Sequence, residues 1–204
     1  MIQFMLSKKG IISLLFSLPF LMGGSCDKQK FEGIADVNQI VTYENISTDR
    51  TTFRTATLTT SDIKRNLSIP DDATITEVLI VGLGIRIRKN SDNTAETIRT
   101  SGAITGSDGL QQILWDKTTS DTGHATRHEN INSTVREGVN KLKVILEEAL
   151  IVNQFRSYTL ILDVDPGFDR FSADVDIIIN VEIEWEQCIE TWDFVADGEK
   201  CSDE

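Results

Sequence analysis

The sequence predicts a mostly β protein, an antiparallel β-sandwich of about seven or eight strands with one helix. Three observations carry this. Apolar and polar residues alternate with period two from Val37 onward, turn-forming clusters interrupt the alternation at short intervals, and only residues 134–153 space their apolar side chains as a helix does. Short alternating strands joined by turns bury one face each, which two packed antiparallel sheets achieve.

The N-terminal element is not part of that body. Lys8 and Lys9 are the only charges in residues 1–25, and an apolar run, IISLLFSLPFLM, follows at 11–22. A basic start followed by a short apolar run is the pattern of an export signal, and the run falls short of the about 20 residues that cross a bilayer. Gly23, Gly24 and Ser25 then lead to Cys26, and this arrangement resembles the lipobox of bacterial lipoproteins. The resemblance implies cleavage before Cys26 and diacylation of that cysteine, so that 1–25 is a signal peptide and the chain is held to a membrane by lipid. One acyl chain holds only marginally, at about 0.8 kcal/mol per buried CH₂, so several chains on one residue are needed for a stable anchor.

Residues 26–36 are polar and charged, and read as a flexible lipidated tether before a sandwich domain at 37–204. VNQIVTYENI and TFRTATLTT follow as strands, rich in Thr and Val. Ser61 and Asp62 sit where they can cap one helical turn reaching Leu67, and the IPDDAT stretch around Pro70 ends it. Thr74 to Lys89 is the strongest strand, with Ile85 and Ile87 alternating against Arg86 and Arg88, and Gly82 and Gly84 marking a bulge or bend.

TIRTSGAIT and LQQILWDKT read as further strands, after which residues 118–130 are polar and irregular and predict a long surface loop. In 134–153 the helical spacing of Val139, Leu142, Ile145, Leu146, Ala149 and Leu150 competes with Gly138 and several β-branched residues; Thr134 and Glu137 match a capping box. The body closes with SYTLILDV and ADVDIIINVEIEWEQ, joined by a hairpin connection DPGFDRFS.

Setting Cys26 aside leaves Cys188 and Cys201, which an oxidising compartment would join. The resulting C-terminal loop contains Trp192 and Phe194, either packed over the sandwich or presented to a partner. The formal charge is −12, and loss of Lys8 and Lys9 lowers it by two to −14. Such a surface repels phosphate backbones, so nucleic acid is not an expected partner.

Motifs for chemistry are weak. Asp121-Thr122-Gly123 spells an aspartic-protease triplet, but that reaction needs two carboxylates sharing a proton and the sequence has one triplet. Gly82-Leu83-Gly84 lacks the third glycine and the helix of a dinucleotide loop. His124 and His128, four apart with Glu129 adjacent, lack the further ligands zinc takes. Asp163, Asp165 and Asp169, with Asp174 and Asp176 beyond them, surround the Pro166-Gly167 turn and offer hard oxygens to calcium, or an acid and base to glycoside hydrolysis; a solvated charged face is the simpler reading. Trp115 and Trp185 lie on strands and read as core.

A lipobox, a polar tether and a Thr-rich all-β body together resemble the surface lipoproteins of Bacteroidota-type bacteria. The resemblance implies binding, adhesion or an accessory role in envelope complexes. The expectation is therefore a non-enzymatic protein of the cell envelope, anchored by lipid to the outer membrane, that binds another envelope protein or a glycan. The alternatives are a carboxylate-based glycan hydrolase and a calcium-dependent glycan-binding adhesin.

Overall fold

The computed structural model describes residues 26–64, 67–123, 125–154, 157–192 and 201. These form β1 (Cys26–Thr48), β2 (Thr52–Thr59), α1 (Thr60–Lys64), β3 (Thr74–Lys89), β4 (Thr97–Thr105), β5 (Gln111–Asp121), β6 (Thr126–Asn130), α2 (Arg136–Leu150), β7 (Ser157–Asp165) and β8 (Phe171–Trp192). The strands make two four-stranded sheets, β1-β8-β3-β6 and β2-β7-β4-β5. The antiparallel sandwich expected from the alternation is the observed fold.

The chain divides into two compact units. The larger, Gly33–Glu186, holds both sheets and the core. The smaller comprises, among the described residues, 26–32, 187–192 and 201. Its geometry includes a disulfide between Cys188 and Cys201 and an ion pair between Lys30 and Glu32 at 3.1 Å.

Alternation decides which side chains meet. On β3, Leu83, Ile85 and Ile87 face inward opposite Ile179, Ile177 and Val175 of β8, while Arg86 and Arg88 face out. Register shifts between Ile80 and Gly82, so Val81 is left unpaired and two-thirds exposed; this is the bulge that the glycines announce. From the other sheet Leu58, Ile98, Ile104, Leu114, Leu160 and Leu162 complete the core. Tyr43 on β1 ties the sheets together, its hydroxyl donating to the Leu160 carbonyl of β7 at 3.0 Å. Burial raises the Tyr43 pKa far above its ordinary value, so the phenol remains a neutral donor.

The ambiguous segment 134–153 is a helix, α2. It buries Leu142, Ile145, Leu146, Ala149 and Leu150 and packs against β3 and β5, so burial of one apolar face outweighs β propensity. Gly138 lets the helix approach β5, since a Cβ there would lie 2.0 Å from the Ile113 carbonyl oxygen. The expected Thr134/Glu137 capping box is not formed. Val135 is the N-cap residue and makes no side-chain cap, and Thr134 is instead engaged in a bridge to Trp115. Asn153 ends the segment in the left-handed region, which Asn tolerates.

One further expectation is corrected. Residues 118–130 are not one long loop: β5 runs on to Asp121 and β6 pairs with β3 from Arg88↔Thr126 to Gly84↔Asn130. The sequence does not mark these edge strands, because the buried positions at and just past the end of β5 are the polar Ser120 and Thr122, and β6 is largely exposed. Residues 26–36, expected to be a flexible lipidated tether, are extended as the first part of β1. The short helix expected near Ser61 forms as α1, with Asp62 accepting from the Thr59 backbone N–H at 2.9 Å.

Candidate functional site

Cys26 is the first residue of β1, and Gly23 to Ser25 lie outside the described residues. Cys188 and Cys201 form the expected disulfide, with Cα atoms 6.2 Å apart. Trp192 is the last residue of β8; its side chain, like Phe194 and His124, lies outside the described residues.

The acidic residues separate into two groups and not one. Asp163 is exposed on β7 and accepts from the Ser101 hydroxyl at 3.4 Å; Asp165 ends β7 and accepts from the Gly167 backbone N–H at 3.0 Å; Asp169 is exposed in the turn. Among the described residues no three of His, Cys, Asp and Glu are grouped so as to hold a metal ion, and the calcium set Asp163, Asp165, Asp169 is not assembled. Asp163 and Asp165 share a face of β7 but stand two residues, about 7 Å, apart along it in successive cross-strand rows, and Asp169 belongs to the turn beyond them.

Asp174 and Asp176 lie instead against β3 and β1. The Asp176 side chain is fully buried, accepting from Arg86 Nε at 2.7 Å, from Arg88 Nη2 at 3.1 Å and from Thr42 Oγ1 at 2.8 Å, with Arg88 Nη1 also in contact. Burial alone would raise its pKa, but hydrogen bonds from Arg88, Thr42 and Arg86 outweigh it and hold the carboxyl below its ordinary value. A carboxylate held ionised by two guanidinium groups is a poor proton donor. Asp174 accepts from the Asn45 backbone N–H at 2.8 Å, where Asn45 adopts a positive φ of 52°.

The remaining motifs resolve into structure. In Asp121-Thr122-Gly123 the Asp121 carboxylate accepts from the Gly123 N–H at 2.7 Å, and the buried Thr122 hydroxyl donates to the Ala95 carbonyl, so the triplet is a local turn. Gly82 and Gly84 lie within β3. His128 is exposed on β6, against Gly84. Trp115 is core, as expected, 1% exposed and seated on Gly102; Trp185 is half-buried over Gly33.

Surface concavities differ in whether their polar groups are already engaged. A 130 Å³ cavity beside α2 contains the Lys141–Asp108 ion pair. The groove between β5 and β6 contains Arg127 paired with Glu129 at 2.7 Å and Thr118 bonded to Ser133. A third groove, of about 470 Å³, lies at the β7–β8 turn and is lined by Thr97, Arg99, Thr119, Asp165 and Phe168. Here Arg99 pairs in register with Asp165 on one side and Thr119 on the other, which places all three on one face. Phe168 projects from the turn fully exposed. Of this group the sequence marks only Asp165; Thr97, Arg99 and Thr119 are scattered along the chain, and Phe168 shows only as an aromatic residue in a polar turn, Pro166-Gly167-Phe168-Asp169.

No protein-family model matches the sequence, and no curated protein matches it. Solved structures that match do so at low scores. A chain of the infectious bursal disease virus Gx strain structure is 12% identical with a TM-score of 0.32, over 85% of this chain and 40% of that one. The 60-mer BFDV capsid protein is 7% identical at 0.33, over 78% and 94%, and the turnip yellow mosaic virus empty head is 8% identical at 0.32, over 80% and 86%. This chain thus spans about 40% of the length of the bursal virus chain. Likenesses this slight carry no functional implication.

Proposed function

We propose that this chain is a lipid-anchored protein of the bacterial cell envelope, acting as a non-catalytic binding component at the outer membrane. The observation that carries the reading is the N-terminal order of Lys8 and Lys9, the apolar run 11–22 and Gly23-Gly24-Ser25-Cys26. Among the described residues no helix is long and apolar enough to cross a membrane. The Cys188–Cys201 disulfide fits an oxidising compartment.

Two of the carboxylates that the sequence offers for acid–base chemistry are already engaged. Asp176, the buried one, is neutralised by Arg86 and Arg88, and Asp121 is spent on its own turn. An acidic sandwich with exposed threonines and aromatics offers surface for binding. Fractionation of Cys26→Ser tests the proposal: the variant should leave the membrane pellet for the soluble fraction, whereas unchanged membrane association would refute anchoring through this residue.

A further inference from the structure

The groove at the β7–β8 turn is the one concavity described above in which charged and hydroxyl side chains stand uncommitted. Arg99, Thr97 and Thr119 make no side-chain hydrogen bond with any described residue, and Asp165 spends only Oδ1, on Gly167. Arg99 and Asp165 together carry no net charge. With Asp121, Asp163 and Asp169 around it the groove disfavours an anion, and its lining offers donors and acceptors side by side on one strand face.

Beside these groups stands Phe168, whose ring is wholly in solvent. An exposed phenyl costs solvation unless something covers it. The backbone that carries it is set by buried Pro166, by Gly167 at φ 71° and by the Asp165 carboxylate bonded to the Gly167 N–H.

We propose that this groove binds a neutral glycan: the CH face of a pyranose stacks on Phe168, while vicinal hydroxyls donate to Asp165 Oδ2 and accept from Arg99, with Thr97 and Thr119 bonding a neighbouring sugar. This deepens the binding role proposed above and rests on it. A membrane surface is the competing occupant of an exposed aromatic. Phe168 is flanked by Asp165 and Asp169, Arg170 is paired with Asp92 at 3.0 Å, and Arg99 is a single basic residue in register with Asp165, so the site lacks the cluster of basic residues that holds a protein on anionic lipid.

The test uses the full mature protein in a zwitterionic, sugar-free detergent, titrated calorimetrically with maltohexaose, cellohexaose, xylohexaose and chitohexaose, with polygalacturonate as the charged comparison. At least one neutral hexasaccharide should bind saturably, and Phe168→Ala and Arg99→Ala should each weaken it by roughly five- to tenfold at unchanged melting temperature. Absence of binding to all four, equal binding by both variants, or preference for polygalacturonate overturns the proposal. So does quenching of a Phe168→Trp variant by brominated acyl chains in reconstituted vesicles, which assigns the ring to the membrane. The acyl group on Cys26 is measured separately, so failure here leaves the anchoring result intact.

Discussion

Asp176 of β8 and Arg86 of β3 are register partners, and the guanidinium Nε donates to the carboxylate at 2.7 Å from a side chain that is itself one-third exposed. With Arg88 on the same strand and Thr42 on β1, the carboxylate joins three strands of one sheet. Asp176→Asn keeps the shape but removes the charge that both arginines face. It should cost about 3 kcal/mol at neutral pH, the low end for breaking a buried pair because the arginines reach solvent.

The same pair sets an acid limb. The folded Asp176 carboxyl titrates below its unfolded counterpart, so its contribution is complete above the unfolded carboxylate range and is lost as pH falls through the folded one. Urea midpoints measured from neutral to strongly acidic pH should therefore decline less steeply for Asp176→Asn than for the native chain. Parallel curves would remove Asp176 from the account of acid sensitivity.

Gly102 and Gly82 should respond differently to alanine. A Cβ on Gly102 would lie 2.0 Å from the Trp115 ring, which is confined by the core, whereas the nearest atom to a Cβ on Gly82 is 3.6 Å away. Gly102→Ala should cost about 2 kcal/mol through overpacking, and Gly82→Ala less than about 0.5 kcal/mol. Thermal melts of the two variants decide it.

Val135 offers a gain. It holds the extended N-cap conformation, φ −100° and ψ 120°, without a side-chain acceptor for the first turn of α2. Val135→Asn should stabilise by about 1 kcal/mol by supplying that acceptor. A lower melting temperature would mean that the half-buried valine contributes more by packing than the cap returns.

The disulfide closes a segment of sequence separation 13. Reduction should lower stability by about 3 kcal/mol if the small unit unfolds with the rest of the chain. Two separate transitions on calorimetry, with only one sensitive to reductant, would show that the units unfold independently.

Much of this fold is legible because alternation is enforced wherever a strand has one dry and one wet face: Leu83, Ile85 and Ile87 against Arg86 and Arg88 admit little else. The disulfide was legible from cysteine count once Cys26 was assigned elsewhere. β6 was not, because Arg127, His128 and Asn130 are exposed at an edge and carry no burial pattern. The capping box failed for another reason. Thr134 and Glu137 have the right spacing, but the bridge from Trp115 to Thr134 starts the helix one residue later. The β7–β8 groove was illegible since register, not spacing, brings Arg99, Thr119 and Asp165 together.

The central claim is the lipid on Cys26, and intact-mass analysis of the protein isolated from native envelopes tests it most directly. The account predicts a mature chain that begins at Cys26 and carries added acyl mass on that residue. A chain beginning elsewhere, or beginning at Cys26 with an unmodified thiol, would contradict it.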